Sequence, residues 1–260
     1  LALGLSETAL DVQRKVVWEE FKEPYINKPY GDVSHKLREL DYQEHQYKSM
    51  TIGKELSHVE NAQLQDVKDF FAKHYTPSNA ILTVAGNVTL AQVKELAEKW
   101  FGDIPAGEKY IRNIPQEPAQ TEAHFLEVKA AVPLDALYKC WHISTRLDKK
   151  YYVADMITEI LGGGSSSRLF QSLVKEQQLF SSIHCAHLGS IDAGLLYIEG
   201  KLVKGVSIED GEMGVMAELE KIKSEKIAEN ELQKIKNKTE SLLAFEDISL
   251  MNRANSLANY

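Results

Sequence analysis

The sequence predicts an α+β protein of two domains, each an antiparallel-rich sheet covered by helices. Three observations carry this expectation. In the N-terminal part, long segments with apolar residues at helical spacing surround one short continuous apolar run of the kind that makes a buried strand. In the C-terminal part, strand patterns come with helix patterns grouped after them. Between the two, residues 108–122 (EKYIRNIPQEPAQTE) are polar, carry two of the seven prolines and show neither period, which marks a linker. The expected domains are therefore 1–107 and 123–260.

Residues 6–25 read as a helix: Ser6 is placed to cap it, Glu7 and Asp11 favour its first turns, and Pro24 discourages continuation. A polar segment, residues 26–42, follows. Residues 60–75 set Leu64, Val67, Phe70 and Phe71 at helical spacing and stop before the turn sequence TPSN. Residues 80–87 (AILTVAGN) read as a buried strand closed by Gly-Asn. A helix then starts at Thr89 as N-cap, keeps Leu90, Val93, Leu96, Ala97 and Phe101 on one stripe, and ends at Gly102. After the linker, residues 123–132 and 135–144 read as strands, 150–162 and 166–177 as helices, and 179–188 and 193–203 as strands. Two long helical segments, 207–227 and 228–260, finish the chain.

Composition narrows the functional classes. The formal net charge of −8, from 30 basic and 38 acidic side chains, offers no basic footprint for phosphates, so nucleic acid is not an expected partner. No run of 18 apolar residues exists, so no membrane-spanning helix is expected. Cys140 and Cys185 lie far apart without C-x-x-C spacing and suggest neither a zinc knuckle nor a disulfide framework. The chain opens LALGLSETALD, with no Met and no basic stretch before an apolar one, which suggests a fragment. The compartment stays open between bacterial cytoplasm and periplasm.

The most informative side chain is Glu20. With Val16 at zero on a helical wheel of about 100° per residue, Val12, Ala9, Val17, Leu10 and Phe21 form an apolar stripe, and Glu20, near 40°, falls close to its middle, with Gln13 near 60°. Glu7, Asp11, Arg14, Lys15, Trp18 and Lys22 form the opposite, polar side. A carboxylate aimed into an apolar face must be paired, protonated or bound to a cation, because an isolated buried charge costs several kcal/mol. Two readings stand: a pairing at the border of a cleft, or a metal ligand with Gln13 beside it. A catalytic zinc needs two more protein ligands. The eight histidines, 35, 45, 58, 74, 124, 142, 184 and 187, form neither H-E-x-x-H nor H-x-x-E-H. DYQEH, residues 41–45, comes nearest, but its flanks lack a helical stripe and it reads as structural. In HCAH, His184 and His187 face opposite sides of a strand, and only Cys185 and His187 share one. The glycine run 162–164 before SSSRLF lacks the Gly-Lys-Ser/Thr of a phosphate loop and reads as a helix exit.

Taken in order, QRKVVWEEFKEPYINKPYGD, LRELDYQEHQYKSMTIG, DVKDFFAKHYTPSNAILTVAGNV, LAEKWFGDIP, LGGGSSSRLFQSLVKEQQLFSSI and ELQKIKNKTESLL resemble the M16 zinc peptidases, the pitrilysin, insulinase and mitochondrial processing peptidase family, over nearly the whole chain. The resemblance implies the two-domain LuxS/mitochondrial-processing-peptidase-like metallohydrolase architecture. It further implies a peptide substrate and a zinc held by two histidines of an inverted H-x-x-E-H helix, whose glutamate is the general base. A glutamate on a second helix is the distal ligand. Register with that helix puts the distal ligand at Glu20 and the family's helper glutamate at Gln13, next to the metal shell. H-x-x-E-H is absent here, so the histidines and the general base are expected upstream of Leu1; no catalytic residue is expected within this chain. The first domain is then truncated and the second nearly complete, zinc belongs to the full-length protein, and the fragment alone is inactive. The family encloses peptides between two homologous halves, which implies a second half or subunit. Its non-catalytic halves carry an Arg and Tyr pair where this chain has Val174 and Ser181, so a catalytic half is expected. The rival reading is a non-catalytic structural or interaction subunit of the same fold, and a more distant one is a phosphate-binding module at residues 162–168.

Overall fold

A computed structural model describes residues 4–259. Residues 1–3 and 260, the last of which ends the expected helical segment 228–260, lie outside the described residues. The chain forms two compact units interleaved along the sequence. One contains Leu1–Glu20, Glu55–Asn113 and Asn237–Tyr260; the other contains Phe21–Lys54 and Ile114–Lys236.

Helices make up the first unit. Its long N-terminal helix, α1 (Glu7–Tyr25), begins where the Ser6 hydroxyl accepts the Ala9 N–H at 3.2 Å. Two helices, α3 (Leu56–Asn61) and α4 (Leu64–His74), occupy the stretch expected as one, because the chain turns extended at Ala62 and Gln63. Gln63 then opens α4 with a reciprocal cap to Asp66. α5 (Leu90–Phe101) starts and stops where its sequence signals place it. Thr89 Oγ1 accepts the Gln92 N–H at 3.3 Å, Gln92 returns the bond to the Thr89 N–H at 2.9 Å, and Gly102 is the C-cap.

The expected strand at 80–87 does not form. Residues 80–85 run outside any ladder, with Ile81 74% and Leu82 60% exposed. A strand exists only through a partner's N–H and C=O groups, and none of the described residues supplies them. For the same reason no described residue of this unit is fully buried, and the apolar stripe of α5 through Leu90, Leu96 and Phe101 lies open. The C-terminal part of α8 (Glu229–Glu246) and α9 (Leu250–Asn259) belong here too, split where one continuous helical segment was expected.

The second unit carries the sheet and the core. β1 (Ala136–Ile143), β2 (Phe180–Leu188) and β3 (Gly194–Leu202) pair antiparallel in the order β1-β3-β2. The central strand aligns Cys140 with Tyr197 on one side and Cys185 with Ile198 on the other. Against this sheet pack α6 (Lys149–Gly162), the wide-turned helical segment Phe170–Glu176 and α7 (Ile208–Ser224). Leu161, Leu169, Leu173, Phe180, Ile183, Cys185, Ile198, Leu202, Val215 and Leu219 form the core between them. Beneath α7, Glu218 is buried but not isolated: it accepts from Ser172 Oγ and Lys221 Nζ, both at 2.7 Å. Arg168 grips Glu231 through Nε at 3.0 Å and Nη2 at 2.8 Å, tying the start of the 168–176 turn to α8.

Two expectations for this unit are corrected. Residues 123–132, expected as a strand, run extended without ladder partners and leave Phe125 81% exposed. Conversely, the polar segment 26–42 contains a helix, α2 (Val33–Asp41); Val33, Leu37 and Leu40 stand at helical spacing, but over nine residues of a mostly polar stretch. No helix among the described residues is long and apolar enough to cross a membrane.

Candidate metal centre

α1 positions both expected site residues, and Glu20 and Gln13 are exposed. Val12 (54% exposed) and Val16 (43% exposed) flank them, so the apolar stripe with a carboxylate in it is present, but no described residue covers it. The packed side of α1 is rotated from that stripe by about 100°, toward Leu10, Arg14, Val17, Trp18 and Phe21. Arg14 and Trp18, expected on the polar side, make the contacts. Arg14 Nε donates to the Ala62 carbonyl at 3.1 Å, and Trp18 Nε1 donates to the Glu60 carboxylate at 3.1 Å. The wheel misassigned them because each is amphipathic, a large apolar body ending in a donor that reaches a specific acceptor. The expectation that Glu20 is buried within this chain is therefore corrected: its face is open.

The histidines do not gather around it. Among the described residues, no group of three or more His, Cys, Asp or Glu side chains is arranged to hold a metal ion. The residues of this chain alone do not fit a zinc site, since one exposed carboxylate supplies a single donor where a catalytic zinc takes three protein ligands. The 260-residue protein should accordingly show the same thermal midpoint with and without a chelator. A chelator-induced drop of several degrees would reveal a metal that these residues hold.

The histidines serve packing instead. His35 sits against Phe21 and Tyr25, and its Nε2 approaches the Gly53 carbonyl at 3.2 Å. In DYQEH, Asp41 ends α2 while His45 lies beyond it, so the two do not share a helix face. His45 is 2% exposed, with Nε2 2.9 Å from Asp192 and Nδ1 accepting the Tyr47 N–H at 3.0 Å. That acceptor role leaves the proton on Nε2, which donates to the carboxylate. Tyr42, fully buried, donates to the Ala193 carbonyl at 3.0 Å. The motif fastens the β2–β3 turn, as its structural reading required. His187 faces α6, 3.2 Å from Tyr151 Oη, while His184 is exposed on the other side of β2.

Neither thiol is activated. Burial raises Cys140, with Asp41 adding to the effect, and burial pushes Cys185 up to about 12. In the glycine run, Gly162 ends α6 and Gly164 takes a φ of +94°, a helix exit. Val174 packs at the core margin, and the Ser181 hydroxyl donates to the Lys201 carbonyl at 3.0 Å.

With this geometry in place, comparison with known proteins assigns the class. A family model described as the peptidase M16 inactive domain matches residues 61–239, more than half of the chain. The chain belongs to the peptidase M16 family. It is 30% identical over 239 residues to the zinc protease PqqE of Helicobacter pylori, covering 90% of this chain and 53% of that protein. It is 26% identical over 203 residues to the uncharacterized zinc protease YmxG of Bacillus subtilis, covering 75% of this chain and 46% of that one. A crystal structure of a protease from Helicobacter pylori superimposes with a TM-score of 0.87 at 27% identity, over 98% of this chain and 62% of that one. A peptidase M16 inactive domain from Pseudomonas fluorescens shares the fold, with a TM-score of 0.78 at 19% identity. The chain spans about half the length of the curated relatives it matches. Glu20 and Gln13 precede the residues that the family model matches.

Proposed function

We propose that this chain is part of a zinc-dependent metalloendopeptidase and supplies one ligand to its metal, the Glu20 carboxylate, with Gln13 beside it outside the coordination shell. Both histidine ligands and the general base come from outside residues 1–260. An incomplete first domain to residue 107, the linker 108–122 and a nearly complete second domain, 123–260, then make up one homologous half, which closes on a second half or subunit around a peptide. The chain by itself is inactive.

One observation carries this reading. α1 presents an anionic oxygen donor in the middle of an apolar face, Val12 and Val16, that the described residues leave uncovered. Such a face lowers the local dielectric once covered, which strengthens the attraction of a carboxylate for a divalent cation. The names of the relatives, zinc proteases, support the choice of metal. The relatives' greater length supports a donor set completed elsewhere.

Metal analysis tests it directly. A protein extended to the length of its relatives should hold one zinc per chain and lose it when Glu20 is replaced by Gln. A second reading, a non-catalytic subunit of the same fold, is favoured by one fact: the matched region, 61–239, bears the description of an inactive domain and excludes Glu20. An extended protein that folds but binds no zinc would establish that reading in place of the first.

A further inference from the structure

Residues 114–134 run along the second unit without helix or strand. A stretch of about twenty residues with no regular structure is uncommon inside a compact unit and usually marks either a functional loop or a linker. Three polar pins fasten this one. At its N-terminal end, the Glu117 carboxylate accepts three consecutive backbone N–H groups, from Gln43 at 2.7 Å, Glu44 at 3.2 Å and His45 at 2.8 Å. In the middle, His124 Nδ1 donates to the Leu40 carbonyl at 2.8 Å. At the C-terminal end, Tyr30 Oη donates to the Leu134 carbonyl at 2.7 Å and accepts the Leu134 N–H at 3.2 Å. Tyr30 itself is held at a φ of +63°, and the Lys201 ammonium lies 4.7 Å from its ring centre.

Behind these pins sits a group of titratable side chains that no proposed chemistry uses. Asp41 Oδ2 and His142 Nε2 are buried without a hydrogen-bond partner among the described residues. Cys140 hydrogen-bonds Asp41, and His142 and His124 are close enough to act on its charge. Meanwhile Phe125, Leu126 and Val128 turn outward into solvent. The segment is thus attached by a few polar bonds, three of them to one carboxylate, rather than by a buried apolar face.

We infer that residues 114–134 are a releasable strap and that the Glu117 carboxylate is its pH-sensitive latch on the 43–45 turn. The groups facing the latch are Tyr42, Glu44 and His45 from the turn and His142 from β1, with Asp192 holding His45 from behind. Partial burial raises the Glu117 pKa, but the three N–H groups and His142 outweigh it and hold the carboxyl below the usual carboxylate range. A carboxyl so lowered stabilises the closed strap at every pH above the ordinary glutamate range. That contribution is lost as the pH falls through the lowered value. Protonation removes the charge that three N–H donors share, so the N-terminal pin opens first.

Hydrogen exchange on the 260-residue protein, followed by mass spectrometry against pH, tests this. In the wild type, amides 43–45, the donors to Glu117, should stay protected below the ordinary glutamate range and open at a lower pH while the β1–β3 amides remain protected. Glu117→Gln should exchange at amides 43–45 about tenfold faster already at neutral pH and show no acid transition, because the neutral amide cannot replace a charge-assisted acceptor of three bonds. Tyr30→Phe should loosen amides near 134 at every pH and leave the acid transition at 43–45 unchanged. The inference is overturned if Glu117→Gln is as protected as the wild type at neutral pH. It is equally overturned if the wild-type strap opens only together with the sheet, a result that needs no variant to fold.

Discussion

In a protein extended to the length of its relatives, Glu20→Gln lowers peptide cleavage by more than about a hundredfold and leaves folding intact. Disturbing even the partners that orient zinc ligands costs roughly 10- to 100-fold in metal affinity or activity, and a ligand matters more than its supports. Gln keeps the shape of Glu but removes the negative charge, so the loss reads out charge and donor strength rather than packing. Folding is spared because Gln keeps the volume of Glu and, among the described residues, Glu20 is exposed and supports no core packing. Two neighbours make the experiment specific. Glu19 lies on the wheel about 100° from Glu20, and Glu19→Gln should leave cleavage unchanged. The proposed function sets Gln13 beside the metal rather than on it, so Gln13→Ala should cost about tenfold. Full activity in Glu20→Gln would remove Glu20 from the metal, and with it the reason for the proposed function.

The largest expected effect on stability lies at Gly162, the last residue of α6, where a side chain would meet the backbone and Cβ of Cys185 rather than the movable end of a side chain. A Cβ built there stands 2.2 Å from the Cys185 nitrogen and 2.5 Å from the Cys185 Cβ. Cys185 is locked in β2 by pairing with Ile198 of the central strand, so it cannot retreat without opening the sheet. Gly162→Ala should therefore destabilise the second unit by about 3 kcal/mol or more, at the upper end of overpacking effects. Leu173→Ala, which empties a fully buried position in the same core, should cost about 2–5 kcal/mol by the opposite mechanism. Gly164→Ala is the control: its Cβ meets nothing within 4 Å, and only its φ of +94° opposes the change, at about 1 kcal/mol. Urea midpoints with unchanged slopes would check all three, and a Gly162→Ala midpoint equal to wild type would refute the close approach.

Helix ends were legible where their chemistry is local. Thr89 and Gly102 bound α5 as expected, because a capping box and a glycine stop involve only residues within one turn. Strands were legible only where both partners lie within the chain. Residues 135–144, 179–188 and 193–203 satisfy one another and formed β1, β2 and β3. The equally apolar 80–85 and 123–132 did not form strands, since a ladder is a property of two segments and one segment's pattern cannot report it. α2 escaped notice because its stripe, Val33, Leu37 and Leu40, spans only nine residues inside a polar stretch. The candidate site was legible as a single side chain out of place on α1. The strap latch was not, because nothing local to Glu117 signals that it will meet the amides of residues 43–45.

The bounds of α5, the three strands that pair with one another, the family and the odd position of Glu20 on its helix were determined by the sequence by itself, because each depends on residue types at short or ordered separations. Tertiary structure alone decided which face of α1 packs, which apolar runs became strands, and that His45 and Asp41 serve as buried fittings. Those outcomes depend on which distant group supplies the complementary donor, acceptor or surface, and a helical wheel or an alternation pattern holds no information about the partner.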